Sequence, residues 1–321
     1  MLALNMKFMQ YLGILVGAVY GLAFRFLCDM EAFRGLYDFY NIYSVTFLWI
    51  LPMVIGIIPI VFARAEVLKS KTKQVLFPVL SVLLFFTFAL SSGIEDFLCI
   101  LIIIFPFLIS AAVIGPLATI LIKNINSKKL YSIIFIPLLL SPLEAILPNQ
   151  QESFQVKTEI VINASQEQVW ANLLEVPELS DEYQAGLLNY IGVPKPLYSK
   201  LQIVDGQEYR VGYFSEGIEL YETITKLEAV KFVNFKIQLE KSKLRNLPTD
   251  QQLLNSDYFK FDNISYSLKR ITKNKTLLTL STQYSIESKM NFYANFWAKT
   301  IIKDFESKLL NALKKTIENQ L

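Results

Sequence analysis

The sequence carries few of the side chains that usually perform catalysis. It contains no histidine in 321 residues, which excludes His-based acid–base catalysis, Ser-His-Asp triads and His-ligated metals. Its two cysteines, Cys28 and Cys99, lie in or beside apolar segments, where buried free thiols are expected. A disulfide between them is the alternative. No glycine-rich phosphate-binding motif can be written from the sequence. We therefore predict neither a metal site nor a cofactor.

Carboxylates are the remaining candidates for acid–base chemistry, and they occur in two close pairs. Hydrolysis of a glycosidic bond needs two carboxylates placed across a cleft. Glu219 and Glu222 are three residues apart in a strand-like segment, so their side chains should point to opposite faces. Asp181 and Glu182 lie in a short helix or loop and are expected to be solvated. Neither pair predicts a catalytic centre, and no catalytic residue is assigned.

The elements that hold these residues fall into two parts of different composition. Hydrophobic residues make up 53% of the chain, charged residues 18%, and the mean hydropathy is +0.38. Residues 1–148 contain ten basic and seven acidic residues, whereas residues 149–321 contain twenty-one of each. This pattern excludes a strongly basic nucleic-acid-binding protein, a disordered chain and a disulfide scaffold. It predicts a transmembrane α-helical domain over 1–148 and a soluble domain over 149–321.

The first part contains five apolar segments that we predict to span a membrane. They cover residues 8–27, 43–63, 75–91, 94–122 and 131–147. The first is too long for a cleaved signal peptide, and no small-residue cleavage site follows it. The fifth has about 17 residues and contains Pro137 and Pro142, so a re-entrant or interfacial segment is the alternative. Arg25 and Glu144 lie near predicted span ends, where long charged side chains can reach the interface.

The loop charges predict the orientation of these spans. Basic residues cluster in the loops at 64–73 and 123–129, whereas the loops at 29–38 and 95–96 are acidic on balance. Because basic loops remain in the cytoplasm, five spans would put the amino terminus inside and the soluble domain outside the cytoplasm. If the fifth segment does not cross, the soluble domain is cytoplasmic. The prediction is an integral protein of the cell or inner membrane with an extracytoplasmic domain.

The second part alternates between strand and turn signals. Strands are predicted at 154–163, 200–204, 207–215, 218–227, 231–239, 258–272 and 276–287, and a long amphipathic helix at 289–319. Asp205-Gly206 and Lys273-Asn274 predict tight hairpins, and Ser165 with Gln168 predicts a capping box. The stretch 241–257, with Lys241, Lys243 and Arg245, is predicted to be a solvated loop; contact of these basic residues with anionic head groups is the alternative. On the long helix, Lys303, Glu306, Lys308, Lys314, Lys315 and Glu318 are predicted to form the solvated face.

Two segments of this part resemble the START/Bet v 1-like (SRPBCC) superfamily, which includes the polyketide cyclase/dehydrase and lipid-transport families. Residues 161–170 read VINASQEQVW, which resembles the family's opening strand and helix start. Phe296-Trp297, Leu309-Leu310 and Leu313-Lys314-Lys315 resemble its closing helix. The resemblance covers roughly residues 154–319 and rests on packing motifs. It implies an α+β helix-grip fold, in which a curved antiparallel sheet surrounds the long C-terminal helix and leaves a cavity for an apolar molecule.

This implied cavity selects the candidate ligand-binding residues. They are large apolar or aromatic side chains of the strands (Tyr209, Tyr213, Tyr221, Phe235, Tyr266 and Tyr284) and of the final helix (Phe292, Phe296, Trp297 and Ile301). Ligand sites are lined mainly by such side chains, with a few polar groups for orientation. For each residue alone, plain core packing is the alternative.

These observations favour a membrane-anchored binding module for a lipid or another hydrophobic small molecule, with a role in lipid transfer or sensing. Its partners would be that molecule and the membrane, and no nucleic acid; the sequence predicts no particular protein partner. The alternatives are a polyketide-cyclase-like or hydrolase-like enzyme that uses tyrosines or carboxylates, and an interaction module whose cavity is filled by its own side chains.

Overall fold

The computed structural model describes residues 2–29, 42–124, 132–254, 256 and 258–320 of the chain. It divides into two compact units. The first, here called the helical unit, comprises Met1–Asn149 with Ser288–Met290. The second, the α+β unit, comprises Gln150–Glu287 with Asn291–Leu321.

The described part of the helical unit consists of helices. They are α1 (Leu2–Asp29), α2 (Leu51–Val61, continuing a π-helical turn at Thr46–Ile50), α3 (Ala65–Lys69), α4 (Lys71–Ser91), α5 (Phe97–Asn124) and α6 (Ile136–Ile146). Two of the described helical segments, Lys71–Ser91 and Phe97–Ile122, are long and apolar enough to cross a membrane. Tyr11–Leu27, Thr46–Val61 and Ser132–Ile146 are apolar but shorter. The prediction of five spans is therefore not confirmed, and residues 30–41 and 125–131 lie outside the described part of the chain.

The helices of this unit run back and forth between two ends. At one end, Ile14 of α1 packs with Val67 of α3 and Phe77 of α4. At the other, Arg25 of α1 forms a 2.8 Å ion pair with Glu95, just before α5. We call these the Val67 end and the Glu95 end.

The Arg25–Glu95 pair corrects the prediction that Arg25 lies at an interface. Both side chains are almost completely buried, and the guanidinium also lies 6.0 Å from the ring centroid of Phe47. An isolated charge in an apolar bundle is costly, and an opposite charge at hydrogen-bonding distance offsets part of that cost. Arg25 therefore pairs inside the helical unit.

The segment Ser132–Ile146 crosses the unit from the Val67 end to the Glu95 end. Near its start, Ile133 packs against the buried cluster of Ile57, Ile60 and Ala118, as Val61 and Leu68 do. Near its finish, the Glu144 carboxylate accepts hydrogen bonds from the backbone N–H groups of Val45 and Thr46, at 2.7 and 2.8 Å. Free N–H groups at a helix start attract a carboxylate. Glu144, predicted as an interfacial anchor, thus caps the helix that leads into α2.

Close helix packing in this unit depends on glycine. A Cβ atom on Gly115 of α5 would overlap the backbone carbonyl oxygen of Gln74 in α4. A Cβ on Gly17 of α1 would lie 2.7 Å from the backbone carbonyl oxygen of Ile55 in α2. Small residues at such positions let helix backbones approach one another, as in helical membrane proteins.

The α+β unit contains one seven-stranded sheet. Its strands are β1 (Gln150–Ile162), β2 (Pro196–Val204), β3 (Gln207–Phe214), β4 (Glu219–Glu228), β5 (Phe232–Ile237), β6 (Phe259–Thr272) and β7 (Lys275–Ser288), in the spatial order β1-β7-β6-β5-β4-β3-β2. The five pairings from β2 to β7 are antiparallel. Two short helices, α7 (Gln166–Ala171) and α8 (Leu187–Tyr190), follow β1, and the long α9 (Asn291–Asn319) ends the unit.

Local sequence signals place the turns of this sheet correctly. Val204 pairs with Gln207 and Thr272 with Lys275, so both predicted two-residue hairpins are confirmed. Asp205 and Gly206 both have positive φ, as the tight hairpin turn requires. Ser165 and Gln168 form the predicted capping box at the start of α7.

The sheet curves around α9, as two neighbouring helix residues show. Phe305 packs on Phe214 of β3, with ring centroids 6.1 Å apart, while Glu306 hydrogen-bonds Thr282 of β7. Strands lie roughly 4.8 Å apart, so β3 and β7, four spacings apart, would be roughly 19 Å apart in a flat sheet. One helix turn can reach both only if the sheet bends. The curved antiparallel sheet with its long C-terminal helix fits the helix-grip fold.

The stretch between β5 and β6 differs from the predicted solvated loop. It contains a π-helical turn at Asp250–Leu254, and the Arg245 side chain is 8% exposed. Its guanidinium donates to both carboxylate oxygens of Asp250 at 2.9 Å, to Glu216 at 3.0 Å and to the Gly192 carbonyl at 3.0 Å. Arg245 therefore ties this loop to the rest of the unit.

Candidate ligand-binding site

A buried ion pair lies on the face of the sheet that covers α9. Arg210 of β3 and Glu222 of β4 are register partners, and the Arg210 guanidinium donates a short hydrogen bond to the Glu222 carboxylate. Arg210 also donates to the Leu174 carbonyl oxygen at 3.1 Å and lies 4.8 Å from the ring centroid of Phe235. Both charged side chains are less than a tenth exposed. The pair is thus enclosed by apolar and backbone groups.

Tyr266 of β6 extends this polar group toward the helix. Its ring meets Phe235 edge-on, with centroids 6.2 Å apart. Burial raises the pKa of Tyr266 to about 12, although the charge of Arg210 acts in the opposite direction. The Glu222 and Glu306 carboxylates add to the upward shift. The phenol is therefore neutral at pH 7 and can donate a hydrogen bond.

Glu306 supplies a carboxyl group from α9, which corrects its predicted place on the solvated face. It is 1% exposed and hydrogen-bonds the hydroxyls of Thr158 on β1 at 2.5 Å and Thr282 on β7 at 2.8 Å. The Lys303 ammonium donates to the same Thr158 hydroxyl at 3.0 Å. Burial raises the pKa of Glu306, while the hydrogen bonds from the two threonines and the charge of Lys303 limit the shift.

Tyr284 of β7 contacts the first half of α9. Its hydroxyl donates to the Asn295 side-chain oxygen at 2.8 Å, and its ring stacks on Phe259 at 5.6 Å. Burial, followed by the charge of Glu306, raises the pKa of Tyr284 to about 12. This side chain, too, is a neutral hydroxyl at pH 7.

Arg210, Glu222, Tyr266 and Glu306 are referred to below as the buried polar cluster. It adjoins a core of aliphatic and aromatic side chains from the sheet, α7 and α9, including Phe235, Leu309, Leu310 and Leu313. A few polar groups within an apolar interior are what orients a mostly apolar ligand by its polar end. The same groups could also exchange protons with a bound molecule.

The strand residues predicted to contact a ligand divide between two faces of the sheet. Phe235, Tyr266 and Tyr284 lie on the face toward α9. Tyr209, Tyr213 and Tyr221 have the opposite strand parity to Arg210 and Glu222, so they lie on the other face.

The three outer tyrosines make contacts of their own on that face. Tyr209 meets Tyr221 edge-on at 5.8 Å, and the Lys241 ammonium lies 5.1 Å from the Tyr209 ring. Tyr213 accepts a hydrogen bond from Gln202 at 2.8 Å and stacks on Tyr198 at 4.6 Å. The structure therefore does not bring these three together with the buried polar cluster.

The predicted helix residues also separate. Trp297 is buried and Ile301 is half-buried. Phe292 and Phe296 are 71% and 59% exposed, so their rings lie on the outer side of α9.

Sequence reasoning missed Arg210 and Glu306 and considered Glu222 only as a carboxylate near Glu219, although faint signals for their burial exist. Glu306 stands midway between Ile302 and Leu310 at helical spacings of four, so it shares their buried row. Arg210 and Glu222 become partners once the hairpin is centred on Glu216. Opposite charges that face each other on one sheet face form a cross-strand pair. The described residues hold no group of three or more Cys, Asp or Glu suited to a metal ion.

No protein-family model matches the sequence, and no curated protein matches it. Solved structures similar to its C-terminal half include the Zhui aromatase/cyclase from Streptomyces sp. R1128, with 12% identity, a TM-score of 0.36, and coverage of 53% of this chain and 96% of that one. A START superfamily protein from Mycobacterium smegmatis shows 12% identity and a TM-score of 0.35, covering 52% and 99%. A norcoclaurine synthase from Thalictrum shows 15% identity and a TM-score of 0.33, covering 53% and 98%. At these scores the likenesses carry no functional argument.

Proposed function

We propose that this protein is a membrane-anchored binding module that holds a lipid or another hydrophobic small molecule between the curved sheet and α9. The observation that carries the proposal is the buried polar cluster. It offers a cation, two carboxyl groups and a neutral phenol beside an otherwise apolar interior.

Stability alone is a weak reason to bury the Arg210–Glu222 pair. Replacing a buried ion pair by apolar residues of similar volume is often neutral or stabilising. A pair that is nevertheless present can serve to recognise a polar group. A ligand with a long apolar body and one hydroxyl, carbonyl or carboxyl end would match this arrangement. Lipids and their precursors have that form, and the helical unit would keep the domain close to them.

The course of Ser132–Ile146 supports an extracytoplasmic position for the α+β unit. The basic segment 64–73, which contains α3, lies at the Val67 end of the helical unit, which the positive-inside rule places in the cytoplasm. The chain reaches the Glu95 end again at Glu144, shortly before β1 begins at Gln150. A reporter fused after Leu321 tests this: activity of a periplasmic or surface reporter is expected, and activity of a cytoplasmic reporter would overturn the proposed side.

Native mass spectrometry of the full chain, released from a mild detergent, tests ligand binding. We expect the wild type to carry a bound molecule that the double variant Arg210→Met/Glu222→Leu loses. Glu167 and Arg270 form an exposed ion pair in the same unit, so Glu167→Leu/Arg270→Met is the matched control and should retain the molecule. A mass increment that is present in both double variants would come from lipid on the helical unit. A wild type without any cluster-dependent ligand would refute the proposal and favour an interaction module.

A second candidate, a polyketide-cyclase-like or hydrolase-like enzyme acting at the same site, is favoured by Glu306. Its pKa is raised by burial, and a carboxyl group that holds its proton nearer to neutral pH is suited to general acid catalysis. Hydrolysis of p-nitrophenyl octanoate by the full chain provides a first test. An enzyme would be established if the wild type turns over the ester, Glu306→Gln does not, and this variant still carries the molecule seen by native mass spectrometry. If the wild type shows no turnover, ligand binding remains the only proposed function.

A further inference from the structure

We propose that the first two turns of α9 form a lipid-contacting surface, with the rings of Phe292 and Phe296 inserted into the membrane interface. This inference rests on the membrane anchoring in the proposed function and adds a second, peripheral attachment of the α+β unit. The surface consists of Phe292 and Phe296 together with Lys299, which follows them on the same side of α9.

The two rings are exposed side by side. Phe292 and Phe296 are four residues apart, so they stand one above the other on one helix face. They are 71% and 59% exposed, whereas Ala294 and Trp297 of the same helix are buried. The Phe296 ring meets the Trp297 ring edge-on, with centroids 5.4 Å apart, and stays exposed on its outer side. A single exposed aromatic residue needs no explanation, but an adjacent pair forms a patch that water solvates poorly.

The chain itself keeps this patch near the last apolar helix, whatever the orientation of the two units. The Asn291 amide, at the start of α9, donates to the Gln150 carbonyl oxygen at 2.6 Å and to Glu152 at 3.1 Å. Gln150 follows Ile146, the last residue of α6, by four residues. Four residues span at most about 14 Å. If α6 ends in the membrane, the start of α9 therefore lies close to the membrane surface.

The outer face of α6 has the character of a lipid-facing surface. Leu139, Leu143 and Ile146 recur at helical spacing and are all largely exposed. Apolar side chains facing outward are expected where a helix contacts acyl chains. The patch on α9 thus follows an apolar surface along the chain.

Charge also matches a lipid headgroup layer. Lys299 lies three residues beyond Phe296 on nearly the same face of α9, and it is exposed. Its Cα atom is therefore about 4.5 Å further along the helix axis than that of Phe296. Aromatic rings at the interface with a lysine at headgroup depth are common in membrane-bound helices.

A second protein is a poorer occupant for this surface. A buried aromatic side chain contributes about 150–250 Å², whereas a stable protein interface needs roughly 800 Å² from each partner. Two rings and one lysine fall well below that area. A bilayer has no such minimum area, because each inserted ring contributes its own free energy of transfer from water independently of the other.

Spin labelling of the full chain tests the surface. Single cysteines replace Phe292 or Phe296 in a background without Cys28 and Cys99, and the protein is reconstituted in phosphatidylcholine vesicles with a minor share of phosphatidylglycerol. Oxygen, which partitions into lipid, and a water-soluble nickel chelate then compete to relax the label. We expect oxygen to be the better relaxing agent at both positions. The chelate should be the better one at Asn311→Cys, an exposed position near the other end of α9.

A label at Ile109→Cys, exposed in the middle of α5, separates this inference from the proposed function. If that label contacts lipid while those at 292 and 296 respond to the chelate as at 311, the surface is refuted and the anchor stands. If the label at 109 also responds to the chelate, the membrane anchor itself fails. A label at 292 or 296 that neither agent reaches, and whose spectrum is broadened by the same label on another molecule, would mean that a second copy of the chain covers the surface. That result would also overturn the inference. Phe292 is the more exposed of the two residues. If Phe296→Cys misfolds, the accessibility of a label at Phe292→Cys still tests the surface.

Discussion

Arg210 on β3 and Glu222 on β4 oppose each other on the inner face of the sheet, and their charged groups pair where less than a tenth of either side chain meets solvent. The enclosure has a direct energetic consequence. Neither charge can be hydrated when its partner is removed, so each depends on the other.

Single substitutions of this pair should therefore cost more than the double substitution. We expect Arg210→Met or Glu222→Leu alone to destabilise the α+β unit by about 3–5 kcal/mol, and the double variant to be close to the wild type. Hydrogen exchange of β3 and β4 peptides, followed by mass spectrometry on the full chain, measures this. Removing the exposed Arg270–Glu167 pair should leave the exchange of these peptides nearly unchanged, because solvent screens that pair. A double variant as unstable as the worse single variant would contradict the expectation.

Glu306 should make the stability of the unit depend on pH. Its folded-state pKa lies above the ordinary value of 4.5, so ionisation of this carboxyl opposes folding. The stability that it contributes is present below pH 4.5 and is lost as pH rises through the raised pKa. Glu306→Gln should not show this loss, so the stability of the variant relative to the wild type should rise as pH increases. Hydrogen exchange of α9 peptides, corrected for the intrinsic rate at each pH, measures the difference.

The control for Glu306→Gln is Asn311→Ala, at an exposed position on the same helix that carries no ionisable side chain. This substitution should leave the pH profile of α9 unchanged. Parallel profiles for the wild type and Glu306→Gln would show that the buried carboxyl does not titrate differently in the folded state.

Arg245→Lys should loosen the stretch 241–254 without unfolding the sheet. Arginine contacts both oxygens of Asp250 and reaches Glu216 and Gly192 as well, and a lysine ammonium cannot reproduce that planar geometry. We expect faster proteolysis within this stretch, measured by mass analysis of limited digests. Lys243→Gln is the control, because the Lys243 side chain is 67% exposed and its pairing contributes about 1 kcal/mol or less. Equal cleavage of both variants would contradict the role of Arg245.

Gly115→Ala should disrupt the contact between α4 and α5. Its new methyl group would overlap the Gln74 backbone, so the helices must move apart. We expect a lower melting temperature and less monodisperse protein in detergent. Val113→Ala, an exposed position on the same helix, should have little effect. An unchanged melting temperature for Gly115→Ala would mean that the two helices separate at no cost.

Local patterns in the sequence predict much of the α+β unit. The Asp205-Gly206 turn has the residues that positive φ requires, and Ser165 with Gln168 satisfies the first N–H groups of α7 by itself. Such elements depend on interactions over two to four residues, which the sequence displays directly. The stripe through Leu309 and Leu313 likewise predicts the buried face of α9, because helical periodicity is local.

The site could be predicted only in part, because it depends on which face of the sheet meets the helix. Alternation separates Tyr209 and Tyr221 from Arg210 and Glu222. Alternation alone does not show which of the two faces meets α9 when tyrosines lie on one face and charged residues on the other. The sequence-based candidates therefore come from both faces, with Tyr266 and Tyr284 on the inner face and Tyr209 and Tyr221 on the outer one. Pairing with Glu222 and contact with Phe235 are what make burial of Arg210 tolerable.

The amino-acid sequence by itself determined the division into an apolar and a charged part, the hairpins, the helix cap and the amphipathic final helix, because each follows from composition or short-range spacing. Tertiary structure alone decided that Arg25 pairs with Glu95, that Glu144 caps a distant helix, and that Glu306 meets Thr158 and Thr282 beneath the sheet. Those partners are 24 to 148 residues apart in sequence. Charges can be buried only when such distant groups arrive together, and that condition is set by the packing of the whole unit.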